Sequence, residues 1–482
     1  MSFAKYFVKK SIAAIQAESE KSELKRTLSA ANLVSLGIGC IIGAGIFVMT
    51  GQAAANYAGP AIVLSFVIAG LCCAFAGLCY AELASMLPVS GSAYSYSYAS
   101  LGELFAWIMG WLLLLEYGVA ASTVAVGWSG YVVSFLGNFG IVIPPSLTTP
   151  TFQFNQSTHE LLYTGGFNLP ALVGILAMTA LLIVGVKESA TVNNVIVAIK
   201  VAVVVLFIAV GVFYVNPENW HPFIPENTGV DGQYGWSGIL RGAGVVFFAY
   251  VGFEAVSTAA QEAKNPKRDV PIGILGSLVV CTILYICVSL VLTGIVPYSL
   301  LNVPDPMAKA VDVVGLPWLS FLIKIGAIAG LTSVMMVLLY GQTRIFYTMS
   351  RDGLMPAAFS KVHPKFHTPY INTMVVGAII AIVAATTPID ILGDLVSLGT
   401  LTAFAIICFT VMYLRKKEPT MARPFRVPFA PYFPILGILF CGYLIYGLLS
   451  NPITVKFYLV YGIIGLIVYF AYSSRHSKLQ KA

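Results

Sequence analysis

The stretch from Val34 to Gly51 reads V-S-L-G-I-G-C-I-I-G-A-G-I-F-V-M-T-G and lies inside a long apolar run. It carries glycines at 37, 39, 43, 45 and 51, with Gly43-Ala44-Gly45 at its middle. Glycine lowers helix propensity by roughly 1 kcal/mol per site relative to alanine, so the group predicts a break in a membrane-spanning helix. In hydrocarbon such a break is tolerated only where the freed backbone is buried in protein or lines a cavity. The alternative interpretation is close helix packing through small residues.

A break of this kind offers polar backbone groups of both signs. The amide N–H groups at the start of the second half-helix attract an anion. The carbonyl groups at the end of the first half-helix suit a cation. A zwitterion matches both ends, so the stretch predicts a binding site for a zwitterionic solute.

Composition places the chain in a membrane. Mean hydropathy is +0.86, 58% of the residues are hydrophobic and only 10% are charged, which no soluble globular chain of 482 residues resembles. The eight cysteines lie in apolar runs without metal-ligand spacing, so we interpret them as small core residues. The five histidines fall in loops or tails. We therefore expect no metal site, no cofactor and no histidine proton relay, and the scattered basic residues do not indicate nucleic-acid binding.

Apolar runs of about 20 residues, the length that crosses a bilayer, occur twelve times. We name them spans 1 to 12; they cover roughly 31–55, 61–87, 99–136, 168–186, 190–214, 237–259, 272–296, 316–349, 371–386, 390–414, 431–449 and 454–473. The side of the N-terminus holds 21 lysines and arginines, including Lys187 in an inner loop, and the opposite side holds 2. By the positive-inside rule the chain is a multi-pass protein of the plasma (inner) membrane with both termini in the cytoplasm.

Span 6 contains a second glycine-interrupted stretch. It reads L-R-G-A-G-V-V-F-F-A-Y-V-G-F-E-A-V-S from Leu240 to Ser257, with glycines at 242, 244 and 252. Spans 1 and 6 open the two halves if the chain divides as five plus five spans with two left over, and they run in opposite directions, as an inverted repeat requires. Broken segments at corresponding positions of two halves indicate a transporter site near the membrane midplane. We therefore expect breaks at Gly43–Gly45 and around Ala249–Gly252.

This division also sets the predicted domain organisation. Residues 1–29 form a charged cytoplasmic lead-in and residues 475–482 a cytoplasmic tail. Residues 30–474 form one membrane domain, in which repeat one covers about 30–215, repeat two about 236–415 and two extra helices about 431–473.

Charged residues inside the spans are functional candidates because an uncompensated charge there is costly. Lys200 lies about mid-span, and it is either a proton carrier or a fixed cation held by helix-end carbonyls. Glu116 in span 3 either binds a basic group of the substrate or serves as the partner in a buried hydrogen bond. Glu254, two residues after Gly252, either bonds the amides freed at the break or takes part in protonation.

Other polar residues in or near the spans also lead to structural expectations. The adjacent hydroxyls of Thr332 and Ser333 in span 8 either back-bond to their own helix or act as ligands beside a cation that bridges spans 1, 5 and 8. Arg241 and Lys324 lie near the outer span ends, where we expect them to snorkel towards water. The tyrosines at 94, 96 and 98 follow span 2 and predict an interfacial aromatic belt.

Five motifs in this order resemble those of the amino acid–polyamine–organocation (APC) superfamily. They are I-G-C-I-I-G-A-G-I-F (38–47), P-V-S-G-S-A-Y (88–94), F-A-Y-V-G-F-E (248–254), E-A-K-N-P-K-R-D-V-P (262–271) and S-R-D-G-L-M-P (350–356). The likeness is to the cationic amino acid transporter branch and its bacterial relatives, and it runs through nearly the whole chain. It implies an all-α integral membrane fold: the LeuT-like five-plus-five inverted repeat of twelve transmembrane helices, with helices 1 and 6 discontinuous and two extra helices.

The resemblance also implies a substrate site. The substrate carboxylate would lie on the amides of Gly43, Ala44 and Gly45, although some members have serine where this chain has Ala44. The substrate amino group would lie on carbonyls near Ile41 and on the carbonyls of three residues in span 6: Phe248, Ala249 and Val251. The ring of Phe248 would also form an aromatic gate over the substrate. The residues that would set the specificity for the substrate side chain are Glu116, Ala120, Met335 and Met336. Their identities do not decide whether the substrate is a small neutral or a cationic amino acid.

For coupling, the resemblance implies that Lys200 stands where sodium-coupled relatives bind an ion, with Thr332 and Ser333 as the hydroxyl pair of that ion site. Glu254 is a further proton-coupling candidate because of its position beside the predicted break in span 6. We therefore expect a proton-coupled secondary transporter that imports L-amino acids by alternating access, with the proton, the amino acid and the lipid bilayer as its partners. An amino-acid exchanger is the alternative in the same class. An amino-acid sensor is disfavoured because the chain has no long cytoplasmic domain. A membrane enzyme is disfavoured because the sequence has neither paired catalytic carboxylates nor a phosphate-binding loop.

Overall fold

The computed structural model describes residues 6–11, 26–89, 91–155, 158, 160–185 and 190–481. Residues 1–5 and 12–25 of the lead-in, Ser90 of the second motif and Lys187 of the inner-loop count lie outside this range. The described chain is built almost entirely of helices, and its one sheet is a two-stranded hairpin.

Eight helical segments in the described range are long and apolar enough to cross a membrane, which makes this a multi-pass membrane protein. They are Gly45–Met86, Glu103–Gly137, Val192–Tyr214, Gly235–Thr258, Pro266–Ile295, Pro317–Arg351, Ile389–Lys417 and Pro452–His476. Four apolar helices are shorter: Ala30–Ile41, Leu169–Val184, Tyr370–Thr386 and Tyr432–Leu448. The predicted spans lie on these helices, and the number of twelve crossings stays a prediction.

Shorter elements connect these helices. The helix Ser92–Ser100 precedes span 3, and the helix Pro306–Val313 precedes span 8. Strands β1 (Phe152–Asn155) and β2 (Glu160–Tyr163) pair antiparallel in the loop after span 3, with Phe152 opposite Tyr163.

Span 1 is interrupted at its glycines. Its first half, Ala30–Ile41, starts with the Ser29 side chain accepting a hydrogen bond from the Asn32 N–H at 3.3 Å. The helix ends when Ile42 turns to an extended backbone with ψ of 94°. A second half starts at Gly45 with a π-helical turn, Gly45–Met49, and continues to Gly59, where φ of +60° turns the chain into span 2.

Span 6 is interrupted by a different backbone path. The α-helix Gly235–Phe247 tightens into a 3₁₀ turn, Phe248–Tyr250, and Val251 then becomes extended with ψ of 131°. Gly252 follows at φ of +116°, a conformation that residues with a Cβ rarely adopt. The chain resumes as the short helix Ala255–Thr258.

The two interruptions pack directly on each other. A Cβ added to Gly45 would lie 2.3 Å from the Cα of Ala249, and one added to Gly252 would lie 3.0 Å from the Cβ of Cys40. Before span 1, Leu28 accepts a backbone hydrogen bond from Lys264 and donates one to Glu262, at 2.8 and 2.9 Å. The two halves of the chain are therefore joined at their breaks and again between residue 28 and residues 262–264.

Two expectations about polar side chains were wrong. The side chains of Tyr94, Tyr96 and Tyr98 are at most 1% exposed on the helix Ser92–Ser100, where packing inside the protein replaces the predicted contact with the membrane interface. Arg241 and Lys324 do not snorkel: they are 3% and 4% exposed. Each has a polar partner that substitutes for water, the buried Asp394 for Arg241 and the exposed Asn138 for Lys324.

Candidate functional site

A small cavity lies between the two interrupted helices. Its volume is about 10 Å³, so it holds little more than one water molecule, and a larger ligand requires the surrounding side chains to move. Its lining includes seven residues that the sequence predicted for the substrate site: Ile41, Gly43, Ala44, Gly45, Ala120, Phe248 and Val251. The remaining lining residues are apolar: Cys40, Val124, Val334 and Leu338.

Four predicted substrate residues do not line this cavity. Ala249 lies behind it, against Gly45. Met335 and Met336 are buried in span 8, but that helix contributes Val334 and Leu338 to the cavity instead. Glu116 is fully buried in a π-helical turn of span 3, Leu114–Val119, whereas span 3 contributes Ala120 and Val124. A π-helical turn shifts the helical face by one residue, and sequence periodicity gives no sign of that shift.

Lys200 holds the end of the first half-helix of span 1. Its ammonium donates hydrogen bonds to the Gly39 carbonyl at 2.8 Å and to the Ile42 carbonyl at 3.3 Å. These carbonyls belong to the last turn, which has no intrahelical donors of its own, and a cation there also complements the helix dipole. The lysine stem passes over Gly330 of span 8, where an added Cβ would be 3.0 Å from its Cγ. Lys200 thus ties spans 1, 5 and 8 together.

The hydroxyls of Thr332 and Ser333 bond within span 8. Thr332 donates to the Ile328 carbonyl at 2.7 Å and accepts from the Trp128 indole at 2.9 Å. Ser333 donates to the Gly330 carbonyl at 3.3 Å. Of the two alternatives from the sequence, back-bonding is what this arrangement contains.

Tyr285 of span 7 connects the two breaks. Its hydroxyl lies 2.9 Å from the Ile41 carbonyl oxygen and 2.6 Å from the Ala249 carbonyl oxygen. One phenolic proton serves two acceptors, and both acceptors are among the predicted contacts of the substrate amino group. Sequence reasoning missed Tyr285 because it is one apolar-run aromatic residue among many, with no charge and no special spacing.

Two buried carboxyl groups, those of Glu254 and Glu116, lie near the point where span 6 resumes after its interruption. Glu254 Oε2 accepts a hydrogen bond from the Gly252 N–H at 3.0 Å, which satisfies an amide freed by the break. Glu116 is close enough for its charge to interact with that of Glu254. Within the described residues neither Glu116 oxygen has a hydrogen-bond partner of normal geometry. The sequence placed both residues inside spans but gave no sign that they are neighbours.

The arrangement suits recognition rather than covalent chemistry. Amides at the start of one half-helix and carbonyls at the end of another converge on one apolar cavity, a combination that binds opposite charges of one small molecule. Lys200, Glu116 and Glu254 are also buried, but none of them lines this cavity.

Comparison with known proteins gives a consistent result over the whole chain. Residues 28–470 match the amino acid permease family. The chain is 48% identical to the methylthioribose transporter of Bacillus subtilis (strain 168) over 475 residues, which cover 98% of this chain and 99% of the relative. It is 49% identical to the branched-chain amino acid permease BcaP of the same organism over 477 residues, with the same two shares.

A plant relative extends this similarity. The chain is 42% identical over 399 residues to the chloroplastic cationic amino acid transporter 9 of Arabidopsis thaliana, covering 82% of this chain and 67% of the relative. The relatives named here are all transporters or permeases, as the resemblance to the APC superfamily implied.

Proposed function

The chain belongs to the amino acid permease family of the APC superfamily, and from this premise we propose that it is a proton-coupled importer of L-amino acids. Its relatives are transporters, and the chain is likewise a membrane transporter and not an enzyme. The observation that carries the proposal is the convergence of the two interrupted helices on one cavity, with Lys200 on the carbonyl end of the first.

For the architecture, we propose twelve crossings of the plasma membrane with both termini in the cytoplasm. Residues 30–474 form one transporter domain, with a LeuT-like inverted repeat over about 30–215 and 236–415 and extra helices over about 431–473. The opposed interruptions of spans 1 and 6 and their mutual packing support this assignment.

For the substrate, the carboxylate lies on the amides of Gly43, Ala44 and Gly45, which follow the break and have no carbonyl one helical turn before them. The ammonium group lies on the carbonyls of Ile41 and Ala249, which already point at one hydroxyl group. Phe248 covers the bound molecule, and the side-chain pocket is set by the apolar residues of spans 3 and 8.

For coupling, Lys200 carries the proton. Burial disfavours its charge and the two carbonyls favour it, so its proton affinity changes when span 1 moves. A site whose proton affinity depends on conformation exerts the reciprocal effect on the conformational equilibrium. Glu254 is the next candidate, because it caps the break of span 6 and lies beside Glu116.

Uptake into proteoliposomes with and without an imposed pH gradient tests the proposal. We expect radiolabelled L-leucine or L-arginine to accumulate only when the outside is more acidic. Amino-acid esters and decarboxylated amines should compete poorly, because losing a charge-assisted hydrogen bond costs about 1.5–3 kcal/mol, or about ten- to hundredfold in affinity. Accumulation of methylthioribose in place of every amino acid would contradict the proposal, since one of the relatives is a methylthioribose transporter.

Amino-acid exchange is the second candidate, favoured by the direct contact of the Lys200 ammonium with two carbonyls, which also suits a permanently charged lysine. An exchanger moves labelled substrate only against unlabelled substrate inside the vesicle. Uptake into vesicles that contain no amino acid separates the two mechanisms.

A further inference from the structure

A buried carboxyl group lies under the C-terminal end of the chain. Glu103 is the first residue of the helix that opens span 3, and it is fully buried. Its oxygens accept hydrogen bonds from the hydroxyl groups of Tyr98 at 2.9 Å, Tyr469 at 3.3 Å and Ser477, and from the Gln480 amide at 2.5 Å. Among the described residues no basic side chain forms an ion pair with it. Half of its donors therefore belong to residues 473–480, which we name the C-terminal strap.

The strap is also bonded to the loop after span 8. The Lys478 N–H donates to the Asp352 carbonyl at 3.1 Å. Gly353, at φ of +85°, lets this loop pass close beneath the strap: an added Cβ would lie 2.4 Å from the His476 carbonyl oxygen. These loop residues belong to the S-R-D-G-L-M-P motif (350–356), which the proposed substrate site does not use.

Both contacts of the strap lead to one helix, Ser92–Ser100. On this helix Tyr98 donates to Glu103, and Tyr94 donates to the Asp352 carboxylate at 2.8 Å. The strap is therefore linked to the helix by two separate routes, one through each acidic residue.

The same helix bonds the part of span 6 that follows its interruption. The Ser92 and Ser257 hydroxyl oxygens lie 2.6 Å apart, and Ser257 belongs to the short helix Ala255–Thr258. From there span 6 runs on to Lys264, which bonds Leu28 at the start of span 1. A chain of hydrogen bonds thus connects the strap with the resumed part of span 6.

We propose that the C-terminal strap holds the central cavity closed towards the end of the bundle where the termini lie, and that release of the strap allows this side to open. While the strap is bound, Tyr94 and Tyr98 fix the helix Ser92–Ser100, and the Ser92 hydroxyl retains the resumed part of span 6. This inference rests on the alternating access of the proposed function, whereas the closure itself is measurable without substrate.

Release of the strap is reversible because water replaces what it leaves behind. Glu103 receives only neutral hydrogen bonds, and exchanging two of them for water changes the free energy little. Of the eight strap residues only Leu479 is aliphatic, so little apolar surface leaves the core. Lys10 of the lead-in still donates to the Tyr98 carbonyl at 3.3 Å and to the Asp352 carboxylate at 3.0 Å. Release therefore loosens the helix without unfolding it.

Labelling of the native Cys40 tests the strap. This thiol lies on the first half of span 1, lines the central cavity and is 4% exposed, so its reactivity reports opening of the cavity. Inside-out membrane vesicles receive a membrane-impermeant, positively charged methanethiosulfonate, and mass spectrometry of the Cys40 peptide gives the labelling rate. A Lys361→Cys variant verifies that the vesicles present the face with the termini, because Lys361 is exposed in the loop after span 8.

Removal of the strap should make Cys40 more reactive. A chain that ends at Tyr472 should label about tenfold faster than the parent, which is the worth of about one buried hydrogen bond. Cys72, fully buried on span 2, is the folding control, and its labelling should not change. Should Cys72 also become reactive in the truncated chain, the full-length substitutions decide instead.

Two full-length substitutions compare positions within the strap. Ser477→Asp places a second carboxylate against Glu103, and because like charges repel it should raise Cys40 labelling about tenfold. Ser474→Asp is the matched control: it adds the same charge to the strap, but the Ser474 hydroxyl donates to the Phe470 carbonyl at 3.4 Å instead of to Glu103. Ser474→Asp should label at the rate of the parent.

A third substitution tests the route from the strap to span 6. Ser92→Ala removes the hydroxyl that bonds Ser257 and should raise Cys40 labelling about tenfold by itself. Combined with truncation it should give no further increase, because both changes break the same chain of contacts. Rates that multiply to about a hundredfold would show that the two changes act independently, and would overturn the route.

The remaining outcomes separate the strap from the proposed function. Equal labelling of the parent and the truncated chain overturns the strap and leaves the proposed function intact. Equal acceleration by Ser474→Asp and Ser477→Asp also overturns it, because the contact with Glu103 would then be irrelevant. If the variants label as expected but the protein transports no amino acid, the strap is supported and the proposed function is contradicted.

Discussion

The interruptions of spans 1 and 6 look alike in the sequence but are stabilised by different groups. In span 1 the freed carbonyls of Gly39 and Ile42 are bonded by Lys200, a charge that comes from span 5. In span 6 the freed Gly252 amide is bonded by Glu254, a charge that comes from the same segment. Tyr285 then links the carbonyl ends of both.

This difference predicts different roles for the two interruptions. A break that is held from another helix is released when that helix moves or when its lysine loses a proton, so span 1 is linked to events in span 5. A break that is held by its own side chain keeps its shape while the segment moves as a unit. We therefore expect span 1 substitutions to affect coupling and span 6 substitutions to affect the fit of the substrate.

The largest effect should come from the contact between the two breaks. Gly45→Ala places a Cβ 2.3 Å from Ala249 Cα, which forces the breaks apart, whereas Gly43→Ala meets only Val334 at 3.4 Å. We expect Gly45→Ala to lower leucine uptake by more than about a hundredfold and Gly43→Ala to retain at least about a third of it. Equal uptake by the two variants, at matched expression, would contradict the packing of spans 1 and 6 described here.

The second effect concerns coupling. Lys200→Ala should abolish pH-driven accumulation and retain counterflow exchange, because Lys200 bonds the helix end and does not line the cavity. Lys200→Arg should also fail to accumulate substrate, since arginine stays protonated. Lys324→Ala is the matched control: it removes an equally buried lysine that bonds Asn138 at the outer end. Accumulation by both Lys200 variants would move the proton carrier to Glu254 or Glu116.

A smaller effect should follow from loss of the link between the breaks. Tyr285→Phe removes the hydroxyl that bonds Ile41 and Ala249, and we expect a three- to tenfold weaker affinity for L-leucine, the worth of about one buried hydrogen bond. Tyr250→Phe is a matched control, because the Tyr250 hydroxyl donates to the Phe66 carbonyl instead. The ring of Tyr250 lies 5.3 Å from that of Tyr285. Competition binding with both variants measures the difference, and equal losses would assign Tyr285 a packing role only.

The smallest effect should come from Glu254→Gln, a conservative change in the cap of span 6. Glu254→Gln keeps an oxygen that accepts from the Gly252 N–H, so substrate affinity should change by less than about threefold. Glu254→Ala leaves that amide without its partner and should cost about tenfold. Binding at several pH values is the measurement. A large loss in Glu254→Gln would show that the charge of this residue, rather than its hydrogen bond, is needed.

Much of the site was predictable because glycine clusters and intramembrane charges leave strong signals in an apolar sequence. The glycines marked both interruptions, and the lone charge in span 5 marked Lys200. The resemblance placed Glu116, Ala120 and Met336 at the substrate, yet of these only Ala120 lines the cavity, whose other walls in spans 3 and 8 are Val124, Val334 and Leu338. The prediction of a span boundary does not depend on any single residue. The prediction of a cavity wall depends on which helical face points at the cavity, and the π-helical turn of span 3 shifts that face.

By itself the sequence determined that the chain is helical and embedded in a membrane, since hydropathy is a sum over residues and needs no knowledge of contacts. It also located the weak points of two helices, because helix propensity is local. Only the tertiary structure decided which groups meet: Tyr285 with both breaks, Glu116 with Glu254, and Arg241 with Asp394. These pairs are separated by 36 to 244 positions, and among apolar helices no sequence pattern specifies which faces pack together.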